Sequence, residues 1–438
     1  MSVKTARINL WGGYVGALAL DETTNIVTFE YSPEWLQRGV EIAPVRMPLS
    51  NRKYIFPELN PDTYKGLPAV FADSLPDDFG NAVINAWLAR QGRSPQLFTS
   101  IERLLYTGSR GLGALEYSPA LRARGKNPTG DIELESLVQM AQQILNQRAK
   151  MIAEPQEGSA NAMETIFQLG TSAGGARAKA VIAINKKRTK IRSGQLTAPQ
   201  GYEQFILKFD GVSERNTASE IFTDPQGYGL MEYAYYRMAV DAGIRISYSE
   251  ILQEKKRSHF MTKRFDWSGD EKVHFVSLCG MDHSDFRKPG TYSYEELFAV
   301  ARRLRLSRNE AIEIFRRMVF NVVLRNQDDH SKNTGFLLKK GAKEWGLAPA
   351  FDIAYSYRKE SPWVASHQMS LNGKRDDFTR EDLHLIATSC IGNFNRKDAD
   401  AIINTIIEIA SDWDSYARET GVFPELQKEI KDNLRTEI

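Results

Sequence analysis

The stretch Asp328-Asp329-His330-Ser331-Lys332-Asn333 (DDHSKN) decides the fold, together with Ala350-Phe351-Asp352-Ile353 (AFDI) further along the chain. In protein kinases a catalytic-loop Asp accepts the proton of the attacking hydroxyl, while an Asn five residues later and an Asp downstream hold metal ions. Asp328 and Asn333 have that spacing, and Asp352 follows at a suitable distance. The pattern predicts phosphoryl transfer, with Asp328 as catalytic base and with Asn333 and Asp352 as oxygen ligands of Mg²⁺. A polar surface loop is the alternative, because this spacing also occurs by chance.

A segment of small residues, GTSAGGARAK at positions 170–179, precedes a strand-like run at 179–184. Small side chains let backbone N–H groups approach phosphate oxygens closely, so this segment is predicted to cover the phosphates of ATP. It matches neither the P-loop pattern nor the glycine-rich loop of protein kinases. An ordinary β-turn explains the segment equally well.

Lys208 lies inside an apolar strand-like run, Phe205-Ile206-Leu207-Lys208-Phe209. A buried lysine needs a charged partner, and a nucleotide phosphate provides one, as it does for the strand lysine of kinases. Glu232, near the start of the following predicted helix, is a candidate partner within the chain. The alternative is an edge-strand lysine that faces water.

The stretch Lys263-Arg264-Phe265-Asp266 ends a predicted strand where a kinase connects its two lobes. Backbone groups of this connector are expected to meet the adenine, and Phe265 is expected to pack on it. An ordinary core Phe beside a surface Asp is the alternative. Each element is weak alone, but the elements follow one another in the order found in a bilobal kinase, which makes coincidence a poor explanation.

Several of these stretches resemble motifs of the HipA family of bacterial Ser/Thr kinase toxins. Residues 172–179 (SAGGARAK) resemble the family's S-V-A-G-A-Q-E-K loop, and Arg264-Phe265-Asp266 resembles its E-R-F-D connector. Residues 328–333 resemble its D-G-H-x-K-N loop, and residues 350–353 its F/Y-D-I/L metal segment. Leu75-Pro76-Asp77 and residues 108–114 look like its N-terminal L-P-D and G-x-x-x-x-G-A motifs. The resemblance covers most of the chain.

The resemblance implies an α+β, bilobal protein-kinase-like fold with a β-rich N-terminal subdomain and an all-helical C-terminal lobe. It implies ATP and Mg²⁺ as cofactors, a catalytic pair Asp328 and Asn333, and metal ligands Asn333 and Asp352. The residues expected to bind ATP are Ser172, Ala173, Gly174, Gly175, Ala176, Lys179, Lys208, Lys263, Phe265, His330, Lys332, Asn333 and Asp352. His330 is expected to orient the catalytic loop.

The resemblance also implies regulation and partners. Ser172 matches the serine that family members autophosphorylate, and a dianionic phosphate there would expel its loop from the phosphate site and switch the kinase off. Thr171 is an alternative acceptor. The family pairs with a HipB-like helix-turn-helix antitoxin that binds operator DNA, and its best-known substrate is glutamyl-tRNA synthetase, so an aminoacyl-tRNA synthetase is a candidate substrate.

Three departures from the family pattern affect regulation and substrate choice more than ATP binding. Arg177-Ala178 stands where the family often has Gln-Glu. Asp329 replaces the usual Gly after the catalytic Asp and is expected to add a negative charge near the site. Lys263 stands where the family's connector has Glu.

Composition sets the general class of the protein. The 438 residues are 42% hydrophobic and 26% charged, which excludes a disordered chain, a collagen-like fibre and a disulfide scaffold. The net charge of +2 implies no global attraction to nucleic acid or to a membrane. With two cysteines, no apolar run long enough to span a bilayer and no visible secretory signal, a cytoplasmic location is expected.

The chain is predicted to form three regions, because its hydrophobic pattern changes twice. Residues 1–155 read as a mixed β/α N-terminal subdomain, residues 156–290 as a β-rich region with the ATP-binding loop, and residues 291–438 as a helical lobe with the catalytic loop. Ser293 with Glu296 and Ser307 with Glu310 are capping boxes that predict two helix starts in the last region.

Two other function classes stay open. One is a kinase for a small molecule, and the other is an inert kinase-like scaffold that assists a DNA-binding partner. The basic runs at 186–192 and 255–257 read as solvated surface, and a DNA-facing role within an antitoxin complex is the alternative.

Overall fold

The computed structural model describes residues 3–76, 78–121, 131–148, 177–195, 197–212 and 227–438. Thr171, Ser172, Ala173, Gly174, Gly175 and Ala176 therefore lie outside the described residues, as do Asp77 and the predicted boundary at 155/156.

The N-terminal region is built on a four-stranded antiparallel sheet with the order β3-β2-β1-β4. Its strands are β1 (Thr5–Leu10), β2 (Gly13–Asp21), β3 (Ile26–Tyr31) and β4 (Leu115–Ser118). Alternate residues of β1 are buried, so one face of the sheet meets the core, as the alternating sequence predicts. Strand β4 returns from far along the chain to pair with β1, and this brings residues 108–114 to the edge of the region.

Helices surround this sheet and extend beyond it. They are α1 (Pro33–Arg38), α2 (Pro61–Tyr64), α3 (Ala69–Ala72), α4 (Asp78–Arg90), α5 (Ser100–Thr107) and α6 (Leu134–Arg148), with a 3-10 turn at Pro95–Leu97. Helices α4 and α6 share a hydrophobic core with the next sheet: Phe79, Val83 and Leu137 lie in the same cluster as Ile182 and Phe205. These two helices therefore cover one face of the sheet that carries Lys208.

The second sheet has five antiparallel strands in the order β6-β5-β7-β9-β8. They are β5 (Lys179–Asn185), β6 (Ile191–Ser193), β7 (Tyr202–Lys208), β8 (Ser249–Glu254) and β9 (Arg257–Lys263). Helix α7 (Tyr228–Asp241) packs on β8 and β9. The helix comes so close to the sheet that a Cβ at Gly229 would lie 2.3 Å from the carbonyl oxygen of Ser258, which requires glycine there.

The remainder of the chain is mostly helical. It contains α8 (Leu278–Asp282), α9 (Tyr294–Arg303), α10 (Arg308–Val323), α11 (Arg380–Cys390), α12 (Arg396–Ser411), α13 (Trp413–Thr420) and α14 (Pro424–Asn433). Both predicted capping boxes are present, with Ser293 and Ser307 each accepting a hydrogen bond from the backbone N–H of a glutamate three residues later. The helix starts that these motifs predict are confirmed.

Three short strands close the predicted β-rich region, at β10 (Trp267–Ser268), β11 (Glu271–Lys272) and β12 (His274–Ser277). The helical lobe adds two more, β13 (Gly335–Leu338) and β14 (Gly346–Leu347), which the expectation of an all-helical lobe omitted. Strand β13 pairs with β12 and β14 and buries Phe336 and Leu338, so the chain after the DDHSKN stretch is held against the connector region.

Candidate active site

An ion-pair cluster around Lys208 joins three separate elements. Lys208 ends β7, a central strand of its sheet, and its side chain is only 11% exposed, which excludes the edge-strand alternative. Its Nζ contacts Oε1 of Glu232 on α7 and lies 2.6 Å from Oδ1 of Asp352. The predicted partner Glu232 and the predicted metal ligand Asp352 therefore meet at one lysine.

The charges in this cluster stabilise one another. Burial lowers the pKa of Lys208, but the carboxylates of Asp352 and Glu232 outweigh that effect and leave it raised. Burial raises the pKa of Asp352, but Lys208 and then Lys179 hold it well below its usual range. Lys179, at the start of β5, is buried and stands directly opposite Lys208 in the sheet register. Lys208 and Asp352 are therefore both charged at neutral pH.

The backbone just before Asp352 is held by hydrogen bonding to Arg245 and Ile246, in the segment that leads to β8. The N–H of Ala350 donates to the carbonyl oxygen of Arg245 at 2.8 Å, and Ala350 forms a parallel bridge with Ile246. Asp352 itself has φ = 52°, in the left-handed region that Asp adopts more readily than bulkier residues. These constraints turn its carboxylate toward the lysine.

The DDHSKN stretch folds into a closed loop. The side-chain nitrogen of Asn333 donates to the carbonyl oxygen of Asp328 at 2.8 Å, and the N–H of Asn333 donates to the carbonyl oxygen of His330 at 2.9 Å. The five-residue spacing thus brings both predicted catalytic residues together.

Asp328 is partly buried. Its side chain is 46% exposed, yet protein atoms surround it on most sides, and burial raises its pKa. The neighbouring His330, whose Nε2 lies 3.7 Å from Oδ1 of Asp328, opposes the rise, whereas the negative charges of Asp352 and Asp329 add to it. The charge of Asp352 acts on Asp328, so the two carboxylates lie near one another.

Asp329 adds a negative charge beside Asp328, as expected, but its carboxylate is buried and paired. It is buried and accepts three hydrogen bonds, from the Tyr294 hydroxyl at 2.6 Å, from Nδ1 of His367 at 2.8 Å and from the N–H of Gln368 at 2.7 Å. Burial raises the pKa of Asp329, but His367 and the other donors leave it lowered. Tyr294 and His367 had no sequence signal, because they lie far from the loop in the chain.

The remaining loop residues pack beneath the cleft. The His330 ring lies 5.5 Å from the Phe286 ring, edge to face, and Nζ of Lys332 lies 4.9 Å over the same ring. Ser331 donates to the carbonyl oxygen of Ser284 at 2.8 Å. The arrangement is compatible with the predicted orienting role of His330.

The connector is buried and rigidly bonded. Arg264 donates to both carboxylate oxygens of Asp266, at 2.9 and 2.5 Å, and the N–H of Gly113 donates to the same carboxylate at 2.8 Å. Asp266 is buried, and this contradicts the alternative of a surface Asp. Phe265 is partly buried and lies 5.5 Å from both Phe275 and Phe351, in an aromatic group that adjoins Asp352.

Lys263 is directed away from this group. Its Nζ donates to Glu203 at 2.7 Å, and its side chain is 46% exposed. The structure therefore does not bring the Lys263 side chain to the other predicted ATP-binding residues. Of the other predicted ATP-binding residues, Lys208 contacts Asp352, and Lys179 stands opposite Lys208 in the sheet. Phe265 packs on Phe351, the residue before Asp352. Asn333 bonds to Asp328, while His330 and Lys332 pack on Phe286.

The donor set at the cleft fits Mg²⁺. Because the amide nitrogen of Asn333 is used in the bond to Asp328, its amide oxygen is the atom left for a cation. Asp352 is ionised, since its pKa is held low. A carboxylate and an amide oxygen, completed by phosphate and water oxygens, are ligands that Mg²⁺ accepts.

The basic runs are largely paired with carboxylates. Arg188 contacts Glu203 and Glu250 at 3.1 and 2.6 Å, while Lys190 and Arg192 both contact Asp131. Lys255 contacts Glu135. This pairing favours the solvated-surface interpretation for these cations. Within the described part of the chain, no helix has the length and apolar character needed to cross a bilayer.

Comparison with known proteins places the chain in a family. Residues 6–118 match the family model of the HipA N-terminal domain, and residues 171–413 match that of the HipA-like C-terminal domain. No curated protein sequence matches significantly.

Among solved structures, the chain resembles HipA from Shewanella oneidensis MR-1, which was solved in a complex with HipB and its operator DNA. The identity is 16%, the TM-score is 0.64, and the match covers 98% of this chain and 94% of that chain. CtkA, a proinflammatory kinase of Helicobacter pylori, matches at 16% identity and a TM-score of 0.34, over 52% of this chain and 84% of that chain. The likeness to the Shewanella structure confirms the predicted α+β, kinase-like fold class, and, since the C-terminal match alone covers more than half of the sequence, the chain belongs to the HipA family.

Proposed function

We propose that this protein is an ATP- and Mg²⁺-dependent Ser/Thr protein kinase that serves as the toxin of a toxin–antitoxin pair. The observation that carries the proposal is the meeting of Lys208, Glu232 and Asp352 beside the loop of Asp328 and Asn333. A lysine paired with a helix glutamate, an Asp-x4-Asn loop and a downstream Asp are the parts that protein kinases use for phosphoryl transfer.

Each residue has a distinct role in this proposal. Lys208 and Lys179 bind phosphate oxygens, and Asn333 and Asp352 hold Mg²⁺, which neutralises phosphate charge when bound. Asp328 accepts the proton of the attacking hydroxyl while the hydroxyl oxygen bonds to the γ-phosphorus and the bond to the β-phosphate oxygen breaks, releasing ADP. The raised pKa of Asp328 makes it a better proton acceptor than an ordinary surface carboxylate.

Partners and regulation extend the proposal. The Shewanella HipA was solved with HipB and operator DNA, and this supports a HipB-like antitoxin, with operator DNA contacted through the complex, as the partner here. Autophosphorylation at Ser172, or at Thr171, remains part of the proposal, and these residues lie outside the described ranges. A cellular protein such as an aminoacyl-tRNA synthetase is the proposed substrate.

Mass spectrometry after incubation with Mg-ATP tests the activity. The wild type should gain one phosphate, located on residues 171–172, and Ser172→Ala should shift or abolish it. Asp328→Asn should fold and bind nucleotide but incorporate no phosphate. The control is Asp400→Asn, which removes an ion-paired carboxylate of α12 whose partners are Arg380 and His384 and should leave incorporation unchanged.

The competing functions predict other results. An inert scaffold predicts no phosphate incorporation by the wild type together with ATP-independent operator binding by the antitoxin complex. A small-molecule kinase predicts transfer from radiolabelled ATP to metabolites rather than to cell proteins. Autophosphorylation that persists in Asp328→Asn would contradict the role assigned to that carboxylate.

A further inference from the structure

Arg177 shares the buried glutamate of the active-site cluster. One of its terminal nitrogens, Nη1, lies 3.2 Å from Oε2 of Glu232, while Nζ of Lys208 contacts Oε1 of the same carboxylate. One carboxylate thus holds two cations, one on each oxygen. Arg177 stands two residues before Lys179, the first residue of β5, so it enters the cluster from the sheet side.

The three side chains differ in their access to solvent. The exposed fraction is 3% for Glu232, 11% for Lys208 and 31% for Arg177. A buried carboxylate requires a cationic partner, because leaving it unpaired is strongly unfavourable. Lys208 keeps Glu232 paired if Arg177 leaves, so Arg177 is the partner that can exchange.

The guanidinium also lies near the two carboxylates of the cleft. Its positive charge lowers the pKa of Asp352 and of Asp328, as a smaller contribution beside those of nearer groups. It therefore stands among helix α7, the Asp352 segment and the catalytic loop. Under the proposed function, the phosphates of the nucleotide occupy this region. A guanidinium has donors in a fork that matches phosphate oxygens.

We propose that Arg177 is a phosphate-binding residue of the nucleotide site, which exchanges Glu232 for phosphate oxygens when the nucleotide binds. The proposal rests on the proposed function. It gives a positive role to the Arg177 departure, since the family often has an uncharged Gln there. Lys208 then stays with Glu232 while Arg177 moves outward to the ligand.

The competing explanation is that Arg177 only ties β5 to α7. A tether would stabilise the ligand-free protein and would affect every ligand of the cleft equally. A phosphate-binding residue would instead affect only ligands that carry phosphates. Adenosine and the non-hydrolysable ATP analogue AMP-PNP separate these two roles.

Calorimetric titration of the full chain with AMP-PNP and with adenosine tests the proposal. Arg177→Gln should weaken AMP-PNP binding by about tenfold or more, the loss of a charge-assisted hydrogen bond, and leave adenosine binding unchanged. The matched control is Arg188→Gln, which removes an arginine in the turn between β5 and β6 whose guanidinium contacts two carboxylates. It should change neither affinity.

Each other outcome overturns the proposal in a recognisable way. Equal weakening of AMP-PNP and adenosine binding would identify Arg177 as a tether. Unchanged AMP-PNP affinity in Arg177→Gln would remove its ligand role while leaving the proposed kinase function intact. A wild type that binds no AMP-PNP would overturn the kinase function and the role of Arg177 together.

Discussion

The hydroxyl of Tyr294 donates to Oδ2 of Asp329 at 2.6 Å, and so anchors the catalytic loop to the first turn of helix α9. Nδ1 of His367 donates to the same oxygen, and the N–H of Gln368 donates to Oδ1. Asp329 directly follows Asp328, so this buried network fixes the backbone from which the proposed base projects. The Asp329 carboxylate is the shared acceptor of these three donors, and a glycine at this position would have no side chain to accept their hydrogen bonds.

Replacing Asp329 by Ala should destabilise the fold. The change leaves a buried tyrosine hydroxyl, a buried histidine and a backbone N–H without their acceptor, at a cost of about 3 kcal/mol in the free energy of unfolding. Urea denaturation measures this cost. Tyr294→Phe removes only one of the three donors and should cost about 1 kcal/mol. A loss below about 0.5 kcal/mol for Asp329→Ala, the range of ordinary surface substitutions, would contradict the assigned network.

The stability of the protein should fall as the pH drops below the pKa that His274 has in the unfolded chain. His274 is fully buried, its Nε2 donates to the carbonyl oxygen of Ile42 at 2.9 Å, and its Nδ1 has no partner among the described residues. Burial lowers its pKa to about 4. The unfolded chain takes up this proton near pH 6.5, whereas the folded chain does so only near pH 4. As the pH falls through this interval, protonation of the unfolded chain lowers the free energy of unfolding by up to about 3 kcal/mol.

Urea denaturation at a series of pH values between 7 and 4 checks this effect. The wild type should lose stability steadily over the interval, and His274→Gln should lose less, because glutamine keeps a donor for Ile42 and does not titrate. The two proteins would have parallel stability curves if His274 became protonated in the folded state as readily as in the unfolded state.

Local patterns in the sequence predicted much of the fold and the central residues of the site. The capping boxes at Ser293 and Ser307 and the five-residue spacing in the DDHSKN loop both depend on neighbours along the chain. The ion pair of Lys208 with Glu232 could be predicted because the kinase order supplied the long-range information.

The contacts that the sequence did not predict join residues distant in the chain. The bonds of Asp329 to Tyr294 and to His367 span 35 and 38 positions, and the bond of Gly113 to Asp266 spans 153. Helices α4 and α6 bury their apolar faces on the sheet of β5 and β7. Hydrophobic periodicity predicts that a helix has an apolar face, but not which sheet that face packs against. The ion pair of Arg177 with Glu232 was not predicted for the same reason, since Glu232 lies on α7.

The ion pair in the connector should be indispensable for folding stability. Arg264 and Asp266 have side chains that are 1% and 5% exposed, and Arg264 also donates to the carbonyl oxygen of Gly194 at 2.9 Å. Asp266→Ala leaves a buried guanidinium without its carboxylate, which should cost about 3–5 kcal/mol in the free energy of unfolding. Lys263→Ala, next in the chain to Arg264, removes only an exposed pair with Glu203 and should cost less than about 1 kcal/mol. Equal losses in the two variants would contradict the assigned burial.

Removal of the Asp352 carboxylate should abolish the contribution of Mg²⁺ to nucleotide binding. In Asp352→Asn, Lys208 keeps its contact with Glu232, so the cluster remains paired and the fold should be retained. Wild-type protein should bind AMP-PNP at least tenfold more tightly in Mg²⁺ than in EDTA, the effect expected from a ligand-bridging cation. In Asp352→Asn the two affinities should be equal.

Asp400→Asn is the control for this experiment, because its carboxylate pairs with Arg380 and His384 on the helical lobe. It should show the same Mg²⁺ enhancement as the wild type. An undiminished enhancement in Asp352→Asn would mean that the cation is held without this carboxylate, and the metal role would then fall to Asn333 and the phosphates. Loss of AMP-PNP binding in EDTA as well would instead indicate that Asp352 is needed to position Lys208, since the two groups lie 2.6 Å apart.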